Sequence, residues 1–141
     1  MSIWFQEIHL DELNLRSAHT LAHFLNITFT AIHADSLIAT MPANERCKQP
    51  LGIVHGGANV VLAETVASTA ANCIVDQKTH YCVGLEINAN HIHAVREGII
   101  TAITRPIHLG RTTQVWHIDL YTEDGQLSCV SRMTAAVLAK R

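Results

Sequence analysis

The sequence predicts an α+β fold in which one antiparallel sheet wraps around a single long helix. Three observations carry this expectation. The span from Gly56 to Val75 is small and apolar nearly all round, as suits a helix that a curved sheet encloses. Four stretches rich in β-branched residues follow it, broken by short turn signals. Two shorter extended stretches precede it, so strands group together instead of alternating with helices as in a parallel α/β chain.

The elements follow in order. Asp11 is placed to cap a first helix running to about His23, with Leu13, Leu21 and Phe24 toward a core. "NITFTAIHA" and "SLIATMPA" read as two strands with a turn at Ala34–Asp35. The loop "NERCKQPLGIV" leads to His55, and the long helix starts at Gly56. "YCVGLEINANHIHA", "GIITAITRPIHL", "TTQVWHIDLYTE" and "QLSCVSRMTAAVLA" read as four strands that pair antiparallel as neighbours. The Asp-Gly in "EDGQ" marks a hairpin between the last two. The first of the four is long and lies next after the helix, which makes it the candidate free edge.

Composition narrows the function. At 141 residues and 48% apolar, the chain is expected to form one globular domain over residues 1–141. The formal charge of −2 and scattered basic residues argue against nucleic acid as a partner. "MSIWFQEIHLDELN" is acidic and lacks the apolar core of a signal peptide, and the longest apolar stretch carries glycines, asparagines and a glutamate. A cytoplasmic protein with no membrane partner is expected. Cys47, Cys73, Cys82 and Cys129 form no CxxC pair and read as reduced thiols. His19 and His23 lack the Glu of an HExxH helix, and His91-x-His93 has no third ligand, so no metal or other cofactor is expected.

One residue conflicts with this bland picture. Glu64 is the lone charged side chain between Gly56 and Val75. Burying an unpaired carboxylate costs several kcal/mol, so its place calls for a reason. Helical spacing sets Val60, Glu64, Ser68 and Ala71 on one stripe, with Gly57 a turn before it. The helix start offers unpaired N–H groups and the positive end of the dipole. Gly56 and Gly57 let a substrate approach that backbone closely. His55 stands just before the helix and Gln49 lies in the preceding loop. An N–H-rich terminus beside a carboxylate is the pairing that acyl transfer requires.

"HGGANVVLAETVAS", with "KQPLGIVHGG" and "VGLEINANHIHAVREG", resembles the hotdog-fold acyl-CoA thioesterases of the PaaI-like group. It is similar to the branch acting on 4-hydroxybenzoyl-CoA and 1,4-dihydroxy-2-naphthoyl-CoA, over about Phe24 to Leu138. The resemblance implies a hotdog fold and hydrolysis of an aromatic or medium-chain acyl-CoA to free acid and CoA. It implies Glu64 as general base or nucleophile, and the Gly56 N–H as donor to the thioester carbonyl. It sets Gln49 and His55 beside that carbonyl and the sulfur, and Ser68 as the hydroxyl that helps hold Glu64 or the lytic water. CoA contacts would come from Gly84, from His91, Ile92, His93 and Ala94, and from His108, Leu109, Gly110, Arg111, Thr112 and Thr113. At His93 the chain departs from close relatives, which often carry Arg there. The resemblance further implies a dimer or dimer of dimers, with Gln49 and His55 from one subunit acting with Glu64 of the other. Two alternatives stay open: a dehydratase on the same fold, usually built on a His–Asp pair, and a non-catalytic acyl-CoA or acyl-carrier binding protein.

Overall fold

A computed structural model describes residues 1–141. It contains α1 (Leu10–Arg16), α2 (Leu21–Phe24), β1 (Thr28–Ile32), β2 (Leu37–Pro42), α3 (Gly56–Ile74), β3 (His80–His91), β4 (Ile99–Leu109), β5 (Thr113–Tyr121) and β6 (Leu127–Ala139). All strands join one antiparallel sheet in the order β1-β2-β4-β5-β6-β3. This is the hotdog fold, with α3 lying against the sheet.

The six strands and the long helix form where the sequence predicts them, and bends fall at Ala34 and Asp35. Gly125 takes φ +85 in the turn after β5, as the Asp-Gly pair requires. One pairing differs from expectation. β3 does not lie beside β4; it crosses to the far side of β6 and pairs there alone, so it is an edge. The short β5–β6 turn keeps those strands adjacent, whereas α3 separates β2 from β3 and lets β4 pair with β2 instead.

β5 explains how the sheet encloses the helix. Gln114, Trp116, Ile118 and Leu120 are buried while the residues between them face out, the period of a half-buried strand. Trp116 and Leu120 share the core with Leu62, Val66, Ala67 and Ala70 of α3. Burying a side chain such as Leu62 contributes about 1.5–3 kcal/mol. The alanines let the helix approach the sheet closely. Trp4 stacks on Trp116 with ring centroids 6.4 Å apart, tying the N-terminal segment to the core.

The first helix departs most from the sequence reading. It is two short helices, because Ser17–Thr20 turns and His19 adopts φ +63. A residue in the left-handed region ends a helix. His9, not Asp11, is the N-cap, and Asp11 sits in the first turn. Leu13 is buried as expected, but Leu21 and Phe24 are 56% and 55% exposed. The break rotates α2, so Ala22 faces inward in their place. Arg46 covers the Phe24 ring from 5.2 Å.

Candidate active site

Three contacts fix the entry to α3. The His55 N–H donates to Cys47 O at 2.8 Å, the Val54 N–H to Val95 O at 2.8 Å, and Lys48 bridges to Val54. His55 is the N-cap, and its Nδ1 accepts the Gly57 N–H at 2.8 Å. The His55 carbonyl accepts from Ala58 and Asn59. These bonds use the amides of Gly57, Ala58 and Asn59. The Gly56 N–H is left as the free donor at the head of the helix.

The double glycine has two distinct steric causes. A Cβ on Gly57 would lie 2.9 Å from His55 Nδ1, so the capping ring needs glycine there. A Cβ on Gly56 would lie 2.9 Å from His91 Nε2, so the end of β3 needs glycine there. Gln49 organises the preceding turn: its Oε1 accepts the Leu51 N–H, and its carbonyl accepts the Gly52 N–H at 2.9 Å. A cavity of about 300 Å³ is bounded by Gln49, Gly56, Asn59 and the run His91–Ala94. Two groups that the sequence singled out separately, the loop-helix junction and the end of β3, thus meet.

Asn59 was not foreseen. It is 5% exposed, its Nδ2 lies 3.4 Å from His91 Nδ1, and its Oδ1 is buried without a partner. An unsatisfied buried acceptor costs about 1–3 kcal/mol. The signal available was the one that exposed Glu64, a polar residue on the sheet-facing side of an apolar helix.

Glu64 is partly buried, not fully enclosed. Its carboxylate lies against Gly84 of β3, in the space a Cβ would fill. It has no salt bridge; the one histidine–carboxylate contact of the chain joins His117 Nε2 and Asp119 Oδ1 at 2.8 Å on β5. Ser68 is directed elsewhere than expected. Its Oγ donates to Met133 Sδ at 3.5 Å and not to Glu64. On the sheet-facing side the sulfur is the acceptor within its reach.

Two separations matter. Gly56 and Glu64 both belong to α3, and eight residues of helix at the usual rise set them about 12 Å apart. No single carbonyl reaches both within one protomer. The two expected CoA segments are also apart. Thr113 and Val83 both pair with Ala136, whereas His91 pairs with Cys129. At strand rise, the β4–β5 turn carrying Gly110, Arg111 and Thr112 lies roughly 25 Å along the sheet from His91.

A second cavity, of about 440 Å³, opens between α1–α2 and α3. Leu13, Leu21 and Phe29 line it on one side, and Thr65, Ser68 and Thr69 on the other. Asn72 closes its end by exchanging hydrogen bonds with the Cys82 backbone at 3.1 and 2.8 Å. All four cysteines are free and buried, and burial pushes the Cys73 thiol up to about 11 despite Arg16 nearby. No helix is long and apolar enough to cross a membrane.

Residues 51–129 match the thioesterase superfamily. The chain is 46% identical to a 1,4-dihydroxy-2-naphthoyl-CoA hydrolase of Escherichia coli, over 96% of this chain and 99% of the relative. It is 40% identical to the proofreading thioesterase EntH of Cronobacter sakazakii, over 96% and 98%. Among solved structures, a mutant thioesterase from Pseudomonas aeruginosa superposes with TM-score 0.98 at 47% identity, covering 99% of this chain and 100% of that one. A thioesterase from Haemophilus influenzae superposes with TM-score 0.94 at 42% identity, covering 97% and 95%.

Proposed function

We propose that this chain, which belongs to the thioesterase superfamily and is a thioester hydrolase, acts on acyl-CoA and builds each active site from two copies of itself. The observation that carries the reading is the unused Gly56 N–H at the head of the same helix that presents Glu64. The Gly56 N–H polarises the thioester carbonyl, and negative charge gathers on that oxygen as the tetrahedral centre forms. Glu64 either takes a proton from the attacking water or attacks the carbonyl carbon itself, giving an anhydride that water then opens. In both routes the C–S bond breaks, CoA leaves as a thiolate, and the acyl group leaves as the free acid. Gln49 retains Nε2 as a donor beside the carbonyl, and His55, whose Nδ1 is occupied by Gly57, presents Nε2–H toward the sulfur.

The 12 Å gap is the reason for two copies. β3 is an edge, and Tyr81, Val83 and Leu85 along it are exposed. Two β3 strands paired antiparallel about a twofold axis through Asn88 set Leu85 of one copy opposite His91 of the other, with Gly84 next to it. Glu64, which lies on Gly84, then faces Gly56 of the second copy, which lies on His91. The same pairing carries the turn with His108, Leu109, Gly110, Arg111, Thr112 and Thr113 to within about three strand spacings, roughly 14 Å, of His91, Ile92, His93 and Ala94 on the other copy. A CoA nucleotide spans that distance between cationic and hydroxyl groups suited to phosphate.

This register has a direct test. Asn88→Cys is expected to form a disulfide-linked dimer on mild oxidation, because residues facing each other across the axis come within bridging distance. The four native thiols are buried and do not compete. A variant that stays monomeric on a denaturing non-reducing gel refutes the axis at Asn88.

The 440 Å³ cavity beside Ser68 receives the acyl group. Its size suits an aromatic or medium-chain acyl group. Its Thr65 and Thr69 hydroxyls favour a ring bearing polar substituents, the kind named for the Escherichia coli relative. A thiol-release assay across aromatic and fatty acyl-CoA thioesters tests the whole reading; no release from any of them would refute it. Gly84 offers a finer test. In Gly84→Ala the new methyl takes the space of the Glu64 carboxylate and displaces it. We expect kcat to fall by roughly 10–100-fold with little change in melting temperature. Wild-type kcat in this variant would show that Glu64 does not need its present position.

A further inference from the structure

Resting on the reading that the thioester lies at Gly56, we propose that His91 supplies a further hydrogen bond to the thioester oxygen and that Asn59 is the residue that positions it. Three observations converge. His91 Nε2 sits 2.9 Å from where a Gly56 Cβ would be, beside the free Gly56 N–H. Asn59 Nδ2 stands 3.4 Å from the other ring nitrogen, Nδ1. Asn59 is held 95% out of solvent with its Oδ1 unpartnered, lining the same cavity as Gln49 and Gly56.

The chemistry follows from the tautomer. An imidazole that accepts from an amide N–H at Nδ1 carries its proton at Nε2. Asn59 therefore makes Nε2 a donor and aims it at the space next to the Gly56 amide. When the carbonyl π electrons move onto oxygen, the His91 Nε2–H joins the Gly56 N–H in meeting the oxyanion, and the C=O re-forms as the C–S bond breaks. No proton is transferred in this step. The unpaired Oδ1 marks Asn59 as a residue kept at the expense of local stability, as positioning groups at active sites are. The competing role for His91, a contact to the CoA phosphates, predicts a different kinetic signature.

The experiment compares an acyl-CoA with the acyl thioester of N-acetylcysteamine, which lacks the nucleotide. His91→Ala is expected to lower kcat about 100-fold on both substrates. His91→Gln, which keeps an N–H near the Nε2 position, is expected to lose at least tenfold less than His91→Ala. Asn59→Ala is expected to lower kcat between about 10- and 100-fold with an unchanged or raised melting temperature. In a His91→Gln background the same Asn59→Ala change is expected to add less than about twofold, because glutamine has no tautomer to fix. Asn59→Ser serves as the second variant should Asn59→Ala not fold. An effect of His91→Ala confined to KM for acyl-CoA overturns the proposal, as does an Asn59 effect equal in both backgrounds. Failure of the broader reading is distinct, since the wild-type protein would then release thiol from neither substrate.

Discussion

Glu64→Gln is expected to lower kcat by roughly 10²–10⁴-fold while KM and melting temperature stay near wild type. The amide keeps the volume and the contact with Gly84 but has neither a basic nor a nucleophilic oxygen. The fold is expected to tolerate it because Glu64 has no salt-bridge partner to strand. Substrate affinity is expected to hold because the thioester's other contacts, the Gly56 N–H and Gln49, come from the other copy in the proposed site and are left unchanged by the substitution. Single-turnover thiol release on purified protein measures the effect. A Glu64→Gln enzyme within threefold of wild-type kcat would remove Glu64 from the chemistry, and with it both the base and the nucleophile route.

Gln49→Ala and Glu64→Ala, each expected to be inactive alone, are expected to recover about a quarter of wild-type activity when mixed in equal amounts and allowed to exchange subunits. Half the dimers are then mixed, and each mixed dimer holds one site with all native groups. The reason is geometric. Gln49 bounds the cavity at the start of α3, whereas Glu64 lies at Gly84, far along the same chain. If each chain held its own complete site, every chain in the mixture would carry a lesion in its only site, and exchange would restore nothing. Native mass spectrometry of differently tagged subunits verifies that exchange has occurred. Exchange without recovery, or a monomer with full activity, defeats the shared site.

The sequence carried the fold because its signals were local and long. An apolar helix with a single charge, strands rich in β-branched residues and an Asp-Gly turn each need only neighbouring residues to be read. It failed where the signal was weak or depended on distant partners. The N-terminal helix broke at Ser17–Thr20, where no proline or glycine marks the break and His19 takes a left-handed conformation. Leu21 and Phe24 turned outward as a result, since a change of helix axis moves every later residue to a new face.

The candidate site divides the same way. "HGG" and Glu64 stood out by residue type, and the family resemblance rested on them. Sequence by itself determined a histidine just before the helix, a donor-rich helix start and an acid out of place in an apolar helix. Only the tertiary structure decided what each of these touches. It gave the two glycines different causes, His91 for one and His55 for the other, because a Cβ clash depends on which side chain folds over it. It turned Ser68 toward Met133, and it revealed Asn59 behind His91. It set β3 at the edge beside β6, where strand order follows from pairing between residues far apart in the chain. And it set the Gly56 amide and the Glu64 carboxylate a rigid 12 Å or so apart, a distance that helix geometry fixes and no side chain in one protomer can close.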